Sequence, residues 1–228
     1  MVGIIIQARM GSSRLAGKVL MKIGDKTLLE HIISRLQPLS YKYTIVIATS
    51  DLPMDDCIYE FCSTNNIKCF RGEEQNVLKR YYDCATEYHF THIVRLTADN
   101  PFPDIDELQR LILFYLENEF EYADSFSTLP IGVGAEIFSY KALQDSMYSA
   151  SLPKHFEHPN EYILDNLDRY KNGKLNTCLE KNKPDVRLTV DTKEDYEKAC
   201  YIAKYANVEY ITTEKAIEMS RKYDMCHL

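Results

Sequence analysis

Three cations lie in a short loop near the amino terminus. Residues 7–18 read Gln-Ala-Arg-Met-Gly-Ser-Ser-Arg-Leu-Ala-Gly-Lys, so Arg9, Arg14 and Lys18 follow an Ile-rich apolar run. Glycine lets backbone N–H groups turn around an anion, and Arg and Lys donate charge-assisted hydrogen bonds to phosphate oxygens. The spacing is neither that of the P-loop nor that of the dinucleotide-binding glycine motif. The loop predicts a polyphosphate site of another type, and a solvated basic loop is the alternative.

Two aspartates each follow an apolar run. Asp99 comes after residues 93–98, and Asp191 comes after residues 187–190. Mg²⁺ prefers oxygen ligands together with water and phosphate, and two carboxylates from separate strand ends could hold one ion. The alternatives are that Asp99 caps a helix near Asp104, and that Asp191 or Thr192 caps the helix that follows.

A pair of histidines, His155 and His158, lies three residues apart. Zinc requires three or four ligands at known spacings, and no third ligand is evident in the sequence. Structural roles or contacts to a substrate are therefore favoured. No Ser-His-Asp or Cys-His order is readable, so the sequence does not support a covalent nucleophile.

Alternating strands and helices must position these residues. Short apolar runs bounded by turn residues predict strands, and apolar residues at helical spacing predict helices. The predicted strands are residues 2–7, 43–48, 68–70 and 92–96, and the predicted helices are residues 28–36, 55–65, 76–88 and 104–116. This alternation predicts a mostly parallel sheet with helices on both faces, whose ligands lie beyond the carboxyl ends of the strands.

The second half of the chain is less regular. We interpret residues 125–183 as a smaller mixed subregion for substrate and dimerisation, with a strand at 135–138 and a helix at 155–167. Residues 187–190 are predicted to return to the main sheet as a strand, before helices at 193–205 and 213–222. Because no repeat or long linker is visible, residues 1–228 are predicted to form one domain.

Composition limits the class of protein. The hydrophobic content is 45%, which suits a domain with a real core, and the formal net charge is −7, which argues against a nucleic-acid partner. Seven scattered cysteines without a Cys-x-x-Cys pair favour reduced thiols in the cytosol. The first apolar run is too short for a membrane span and lacks the features of a secretory signal, so we expect a cytoplasmic protein without a membrane partner.

The motifs resemble the spore-coat polysaccharide biosynthesis protein F group of cytidylyltransferases, relatives of the 3-deoxy-manno-octulosonate and acylneuraminate cytidylyltransferases. The similarity runs from Ile4 to about Tyr196, most of the chain. Four ordered blocks carry it: residues 7–15 with 17–20, residues 70–72 with 77–78 and 80–82, residues 94–97 with Asp99 and Pro101, and residues 189–192.

The resemblance implies an α/β, nucleotide-diphospho-sugar transferase-like (Rossmann-like) fold with defined site residues. Arg14 and Lys18 would contact the triphosphate, and Asp99 and Asp191 would hold Mg²⁺. Further nucleotide-binding residues are Ala8, Arg9, Gly11, Ser12, Ser13, Thr49, Ser50, Arg71 and Gly72, and the acceptor would meet Glu136, Glu157 and His158.

The reaction expected from the resemblance is transfer of CMP from CTP to a sugar acid or related sugar-like acceptor, with release of pyrophosphate by a homodimer. The alternatives are another triphosphate with a sugar 1-phosphate, and a non-catalytic nucleotide-binding protein. The chain departs from the family pattern at Ala16, Ala98 and Asn100. It also has Gly134 where the family's Gly-Leu-Asp-Val-Glu stretch has its first acid.

Overall fold

A computed structural model describes residues 1–206 and 210–227. The strands are β1 (Val2–Gln7), β2 (Lys22–Ile23), β3 (Lys26–Thr27), β4 (Thr44–Ser50), β5 (Lys68–Gly72), β6 (His92–Thr97), β7 (Tyr122–Asp124), β8 (Glu136–Ser139) and β9 (Asn172–Lys174). The helices are α1 (Leu28–Leu36), α2 (Asp56–Thr64), α3 (Val77–Glu87), α4 (Ile105–Glu117), α5 (Tyr140–Ser149), α6 (Pro153–Glu157), α7 (Glu161–Asp165), α8 (Lys193–Ala206) and α9 (Thr213–His227).

One sheet of seven strands has the order β5-β4-β1-β6-β8-β7-β9, and β2 and β3 form a separate hairpin. The pairs β5·β4, β4·β1 and β1·β6 are parallel. Strand β8 pairs antiparallel with both β6 and β7, and β7 pairs parallel with β9. The sheet is therefore mostly parallel, as predicted, and its antiparallel part comes from the second half of the chain.

The sheet is buried on both faces. Ile4 and Ile6 of β1 pack in a cluster with residues of α1, α2 and α4, whereas Ile5 packs in another cluster with residues of α3, α5 and α7. Because successive side chains of a strand point to opposite faces, this division shows that helices cover both sides. The continuous apolar run of β1 follows from that double burial.

The prediction of a strand at residues 187–190 is wrong. This segment is extended but forms only an isolated parallel bridge, between Arg187 and Ile131. Leu188 N–H donates to the Ile131 carbonyl at 2.8 Å, and Val190 N–H donates to the Asp99 carbonyl at 2.8 Å. Leu188 and Val190 are apolar because they pack in a cluster with α8 and α9, and such burial gives the same sequence pattern as a strand.

The predicted helix at residues 155–167 is also interrupted. Helices α6 and α7 are separated around Pro159, and His158 before it is extended, with φ −131° and ψ 117°. Proline disfavours the helical conformation of the preceding residue, which explains the break. Helix α5 was not predicted, although Ser139 caps it by accepting from Ala142 N–H at 3.0 Å. Within the described ranges, no helix is long and apolar enough to span a membrane.

Candidate active site

The loop after β1 is shaped by its own backbone and by one buried acid. The Met10 carbonyl accepts from Ser12 N–H and Gly17 N–H, both at 2.9 Å. Asp55 is fully buried and accepts from Met10 N–H at 2.7 Å and from the Ser50 hydroxyl. It thus fastens the loop to the carboxyl end of β4. From the sequence, Asp55 was predicted only to begin a helix.

Lys18 lies between the two aspartates of the predicted metal site. Its Nζ atom donates to Asp99 Oδ2, to Asp191 Oδ1 and to the Val190 carbonyl, each at 2.9 Å. Lys18 is only 7% exposed. The structure therefore brings the loop and both predicted strand ends to one point.

Two arginines add positive charge at Asp191. Arg14 Nη2 lies 2.9 Å from Asp191 Oδ1, and Arg187 Nη2 lies 2.6 Å from Asp191 Oδ2. Burial raises the pKa of Asp191, but hydrogen bonds and charge from Lys18, with the two arginines, outweigh it and hold the pKa below its ordinary value. Arg187 is oriented by Asp195, whose Oδ1 lies 3.0 Å from its Nε.

The two helices are capped by Asp104 and by Thr192, and Thr192 was one of the two caps predicted for the second helix. Helix α4 is capped by Asp104, which accepts from Glu107 N–H at 3.0 Å. At the start of α8, Thr192 Oγ1 accepts from Asp195 N–H and Thr192 N–H donates to the Asp195 carboxylate. The carboxylates of Asp99 and Asp191 are thus directed towards Lys18 instead of capping these helices.

A cavity of about 450 Å³ opens at this point, beyond the carboxyl ends of β1 and β6. The predicted site residues that line it are Arg9, Ser12, Ser13, Arg14, Lys18, Asp99, Glu157, His158 and Asp191. A larger cavity, of about 560 Å³, lies at the opposite edge of the sheet between the amino ends of β4 and β5. Only the smaller one contains the convergent cations and carboxylates, so we take it as the candidate active site.

Other predicted nucleotide-binding residues do not line the cavity. Thr49 and Ser50 are fully buried at the end of β4. Arg71 donates to the carbonyls of Ser50 and Leu52, each at 3.0 Å, so it connects backbone segments of the scaffold. Ala8, Gly11 and Gly72 also lie outside the residues that line the cavity.

The prediction that Glu136 meets the acceptor requires correction, because the structure buries Glu136 completely. Its Oε1 atom lies 2.7 Å from Arg95 Nη1, and its Oε2 atom accepts from the Tyr122 hydroxyl at 2.8 Å. Direct contact with an acceptor does not fit this arrangement. Glu136 instead orients Arg95, which does line the cavity.

Comparison with known proteins now identifies the family. Residues 3–219 match the family described as Cytidylyltransferase. The chain belongs to the cytidylyltransferase family. It is 36% identical to the spore coat polysaccharide biosynthesis protein SpsF of Bacillus subtilis over 204 residues, which cover 86% of this chain and 85% of that protein. It is also 25% identical over 250 residues to a 3-deoxy-manno-octulosonate cytidylyltransferase of Rickettsia prowazekii, which covers 90% of this chain and 96% of that protein.

Solved structures agree with this cytidylyltransferase assignment. A cytidylyltransferase from Leptospira borgpetersenii has a TM-score of 0.90 and 32% identity, covering 98% of this chain and 95% of that one. A CMP:2-keto-3-deoxy-manno-octonic acid synthetase complexed with CTP has a TM-score of 0.64 at 18% identity, covering 87% of this chain and 96% of that one, and supports the fold alone. The predictions of the family, of the nucleotide-diphospho-sugar transferase fold and of a nucleotidyltransferase are confirmed.

The donor set of this cytidylyltransferase fits a divalent cation. Asp99 and Asp191 both direct an oxygen at a single position, now filled by a positively charged nitrogen. Mg²⁺ in nucleotide sites is held by one or two carboxylates and completed by water and phosphate oxygens. No group of three or more His, Cys, Asp and Glu side chains suited to a metal occurs in residues 1–206 and 210–227. The protein therefore offers two carboxylates at this point, and oxygens of the substrate would complete the coordination of the ion.

Several residues on the cavity were not predicted as site residues. The polar ones are Gln7, Arg95, Thr97, Asn100, Arg187 and Thr189, and Val19, Ala98, Ile131 and Gly132 also line the cavity. Thr97 and Arg187 contact the predicted aspartates, since Thr97 donates to Asp99 Oδ1 at 2.6 Å. Of these polar residues, all but Gln7 and Asn100 lie in the apolar runs before Asp99 and Asp191. Their position next to the predicted aspartates is the sequence signal that could have identified them.

Proposed function

We propose that this cytidylyltransferase transfers CMP from CTP to a sugar acid or related sugar-like acceptor, in the synthesis of a surface polysaccharide or glycoconjugate. The name of the Rickettsia prowazekii relative supports this class of donor and acceptor, and the name of the Bacillus subtilis relative supports a role in polysaccharide synthesis. The observation that carries the proposal is the convergence of Arg14 and Lys18 on Asp99 and Asp191 at the edge of the sheet where α/β proteins bind ligands.

In the proposed reaction an acceptor oxygen attacks the α-phosphorus, and the bond from that phosphorus to the bridging oxygen of the leaving pyrophosphate breaks. Arg14 and Lys18 offset the negative charge that develops on the pyrophosphate. Catalysis is then mainly positioning and charge neutralisation, as in phosphoryl transfer generally, and no protein nucleophile is required.

Asp99 and Asp191 would hold Mg²⁺ through the oxygens that now face Lys18. When bound, the ion neutralises triphosphate charge and polarises the phosphorus being attacked. The second oxygen of each carboxylate is held by another side chain: Thr97 donates to Asp99, and Arg187 donates to Asp191. These hydrogen bonds fix the orientation of both carboxylates.

We assign the acceptor to the part of the cavity lined by Glu157 and His158, at the end of α6. Gly134 supports a change of acceptor chemistry relative to the family pattern. A Cβ atom there would lie 3.1 Å from Phe126 Cδ1 and from Ser125 Oγ, so the acid of the family pattern would require these side chains to shift. Glu157 and His158 are the groups that we propose to bind the acceptor hydroxyls.

We further propose that the enzyme is a cytoplasmic homodimer without a nucleic-acid partner. All seven cysteines lie in the described ranges and are free thiols, which suits a reducing compartment. The net charge of −7 disfavours nonspecific binding to nucleic acid.

The direct test is pyrophosphate release with CTP, ATP, GTP and UTP, with and without Mg²⁺, over a panel of sugar acids and sugar phosphates. We expect Mg²⁺-dependent release with CTP and a sugar acid. Release only with another triphosphate and a sugar 1-phosphate would support the alternative donor and acceptor. Nucleotide binding without release for any pair would support a non-catalytic protein.

A further inference from the structure

The ammonium group of Lys18 is surrounded by oxygen atoms, as a bound metal ion would be. An ammonium has three N–H donors, and Nζ has three acceptors at 2.9 Å, two from carboxylates and one from the Val190 carbonyl. The residue is 7% exposed, so water screens these contacts little. A charged nitrogen held this closely is a strong competitor for any other cation at the same oxygens.

The remaining oxygens of both carboxylates are already engaged. Asp99 Oδ1 accepts from the Thr97 hydroxyl at 2.6 Å, and Asp191 Oδ2 accepts from Arg187 Nη2 at 2.6 Å. The oxygens that face Lys18 are thus the ones that a metal ion between the two residues would use. Of these, Asp191 Oδ1 also lies 2.9 Å from Nη2 of Arg14, whose side chain is largely exposed. A divalent ion at about 2.1 Å from those oxygens and an ammonium at the same point exclude one another.

Lys18 can leave this position without unfolding the loop. Its backbone is held by Gly17, whose φ of 70° begins the turn, and by the hydrogen bond from Lys18 N–H to the Leu15 carbonyl. The flexible four-carbon stem can therefore carry Nζ away while the backbone stays in place.

We propose that Lys18 and the metal ion compete for the same oxygens of Asp99 and Asp191, so that metal binds tightly only after a triphosphate has drawn Lys18 away. The inference rests on the proposed function, because it gives Lys18 two successive partners in that reaction. The metal then enters together with the nucleotide. The protein alone discriminates against free divalent ions.

Mn²⁺ binding measured by electron paramagnetic resonance, without nucleotide or acceptor, tests the competition. The variants are Lys18→Met, which removes the charge, and Lys18→Gln, which keeps a hydrogen-bond donor near the carboxylates and guards against misfolding. Lys22→Met is the matched control because Lys22 is exposed on β2. Lys18→Met combined with Asp99→Asn checks that the ion occupies the predicted carboxylates. Circular dichroism verifies the fold of each variant.

We expect both Lys18 variants to bind Mn²⁺ at least about tenfold more tightly than the parent, since one unit of positive charge is removed beside the ion. The gain should disappear in the double variant, and Lys22→Met should match the parent. Equal or weaker Mn²⁺ binding by the folded Lys18 variants would overturn the competition. Absence of pyrophosphate release with every triphosphate would instead refute the proposed function and leave the Mn²⁺ result intact.

Discussion

At the scale of single residues, the carboxylate of Asp191 carries one negative charge but contacts three cationic side chains. Arg14, Lys18 and Arg187 all contact it, whereas Asp99 contacts Lys18 and Thr97. The two carboxylates are therefore unequal although they end similar sequence runs. Asp191 organises the cations, and Asp99 is the more exposed of the two proposed metal ligands.

Replacing either carboxylate with its amide should remove a ligand charge from the proposed metal site. We expect Asp99→Asn and Asp191→Asn each to lower turnover on the order of a hundredfold, or about 3 kcal/mol in transition-state stabilisation. Steady-state kinetics at saturating Mg²⁺, with circular dichroism for the fold, measures this. Near-normal turnover in a folded variant would remove that residue from the site.

Arg14 and Lys18 should act on the transition state more than on nucleotide affinity, because charge develops on the leaving pyrophosphate as its bond breaks. We expect Arg14→Ala and Lys18→Ala to lower the single-turnover rate about 10- to 100-fold, with a smaller change in the Kd for CTP. Lys22→Ala and Lys26→Ala are controls because both side chains are exposed. Equal, small effects at all four positions would mean that the loop is only a basic surface.

The sequence indicated the residues of this cluster better than their contacts. Arg14, Lys18, Asp99 and Asp191 were identified because a basic loop and acidic strand ends are visible in sequence, and the structure brings them together. Asp55 was not recognised as an anchor of the loop, and Glu136 was placed on the acceptor. Both have buried carboxylates whose partners come from distant segments, so no local pattern records them.

At the scale of elements, prediction succeeded where one element alone determines the pattern. The parallel strands β1, β4, β5 and β6 and the helices between them were predicted to within a few residues. Doubly buried strands and capped amphipathic helices carry strong local signals. The prediction of a strand at residues 187–190 failed because these residues are buried against α8 and α9. A local sequence pattern does not distinguish such burial from burial in a sheet.

The turn at Gly132 packs closely against Thr189 of residues 187–190, and both residues line the cavity. Gly132 has a φ of 91°, and an added Cβ would lie 2.6 Å from Thr189 N. Gly24 has a φ of 66°, but its Cβ would meet only Ala203 Cβ, at 3.8 Å. We expect Gly24→Ala to cost about 1 kcal/mol from left-handed strain, and Gly132→Ala about 3 kcal/mol because a backbone clash is added.

Urea denaturation of both glycine variants measures this difference. Gly132→Ala should also lower turnover, since Gly132 lines the cavity. Similar stability of the two variants would show that the close approach to Thr189 relaxes freely.

Asp104 connects helices α4 and α9 with Lys181, and it should make the fold sensitive to acid. Its carboxylate caps α4, accepts from the Thr213 hydroxyl at the start of α9, and lies 2.8 Å from Lys181 Nζ. Burial raises the pKa of Asp104, but hydrogen bonds from Lys181, Thr213 and Glu107 N–H outweigh it, so the pKa lies below its ordinary value of 3.8. The resulting stabilisation is complete above that ordinary value and is lost as the pH falls through the lower pKa of the folded state.

We therefore expect Asp104→Asn to be less stable than the parent by about 2 kcal/mol at pH 7, and the difference to shrink below about pH 4. Thermal unfolding from pH 7 to pH 3 measures it. Asp106→Asn is the control because Asp106 lies in the same first turn but is exposed. A constant difference across this pH range would exclude titration of Asp104 as the cause.

At the scale of the whole molecule, exposed apolar side chains are frequent in the predicted dimerisation subregion, residues 125–183. They are Phe126, Ile131, Tyr148, Leu152, Leu164 and Leu179. Exposed apolar side chains suit a two-fold symmetric contact, in which the same residues of each copy are buried.

We predict that the enzyme is a homodimer at micromolar concentration, and that a charge introduced at exposed apolar positions of this subregion dissociates the dimer. Leu179 and Tyr148 are 80% and 74% exposed, so Leu179→Asp and Tyr148→Asp should leave the monomer folded. Burial of a carboxylate without a partner is costly, and we expect the dimer Kd to rise at least about tenfold, or about 1.4 kcal/mol. Tyr41→Asp is the control, because Tyr41 is 84% exposed and lies outside the subregion. Light scattering over a concentration series measures the mass. A monomeric parent at micromolar protein would refute the dimer, and equal dissociation by Tyr41→Asp would move the contact away from residues 125–183.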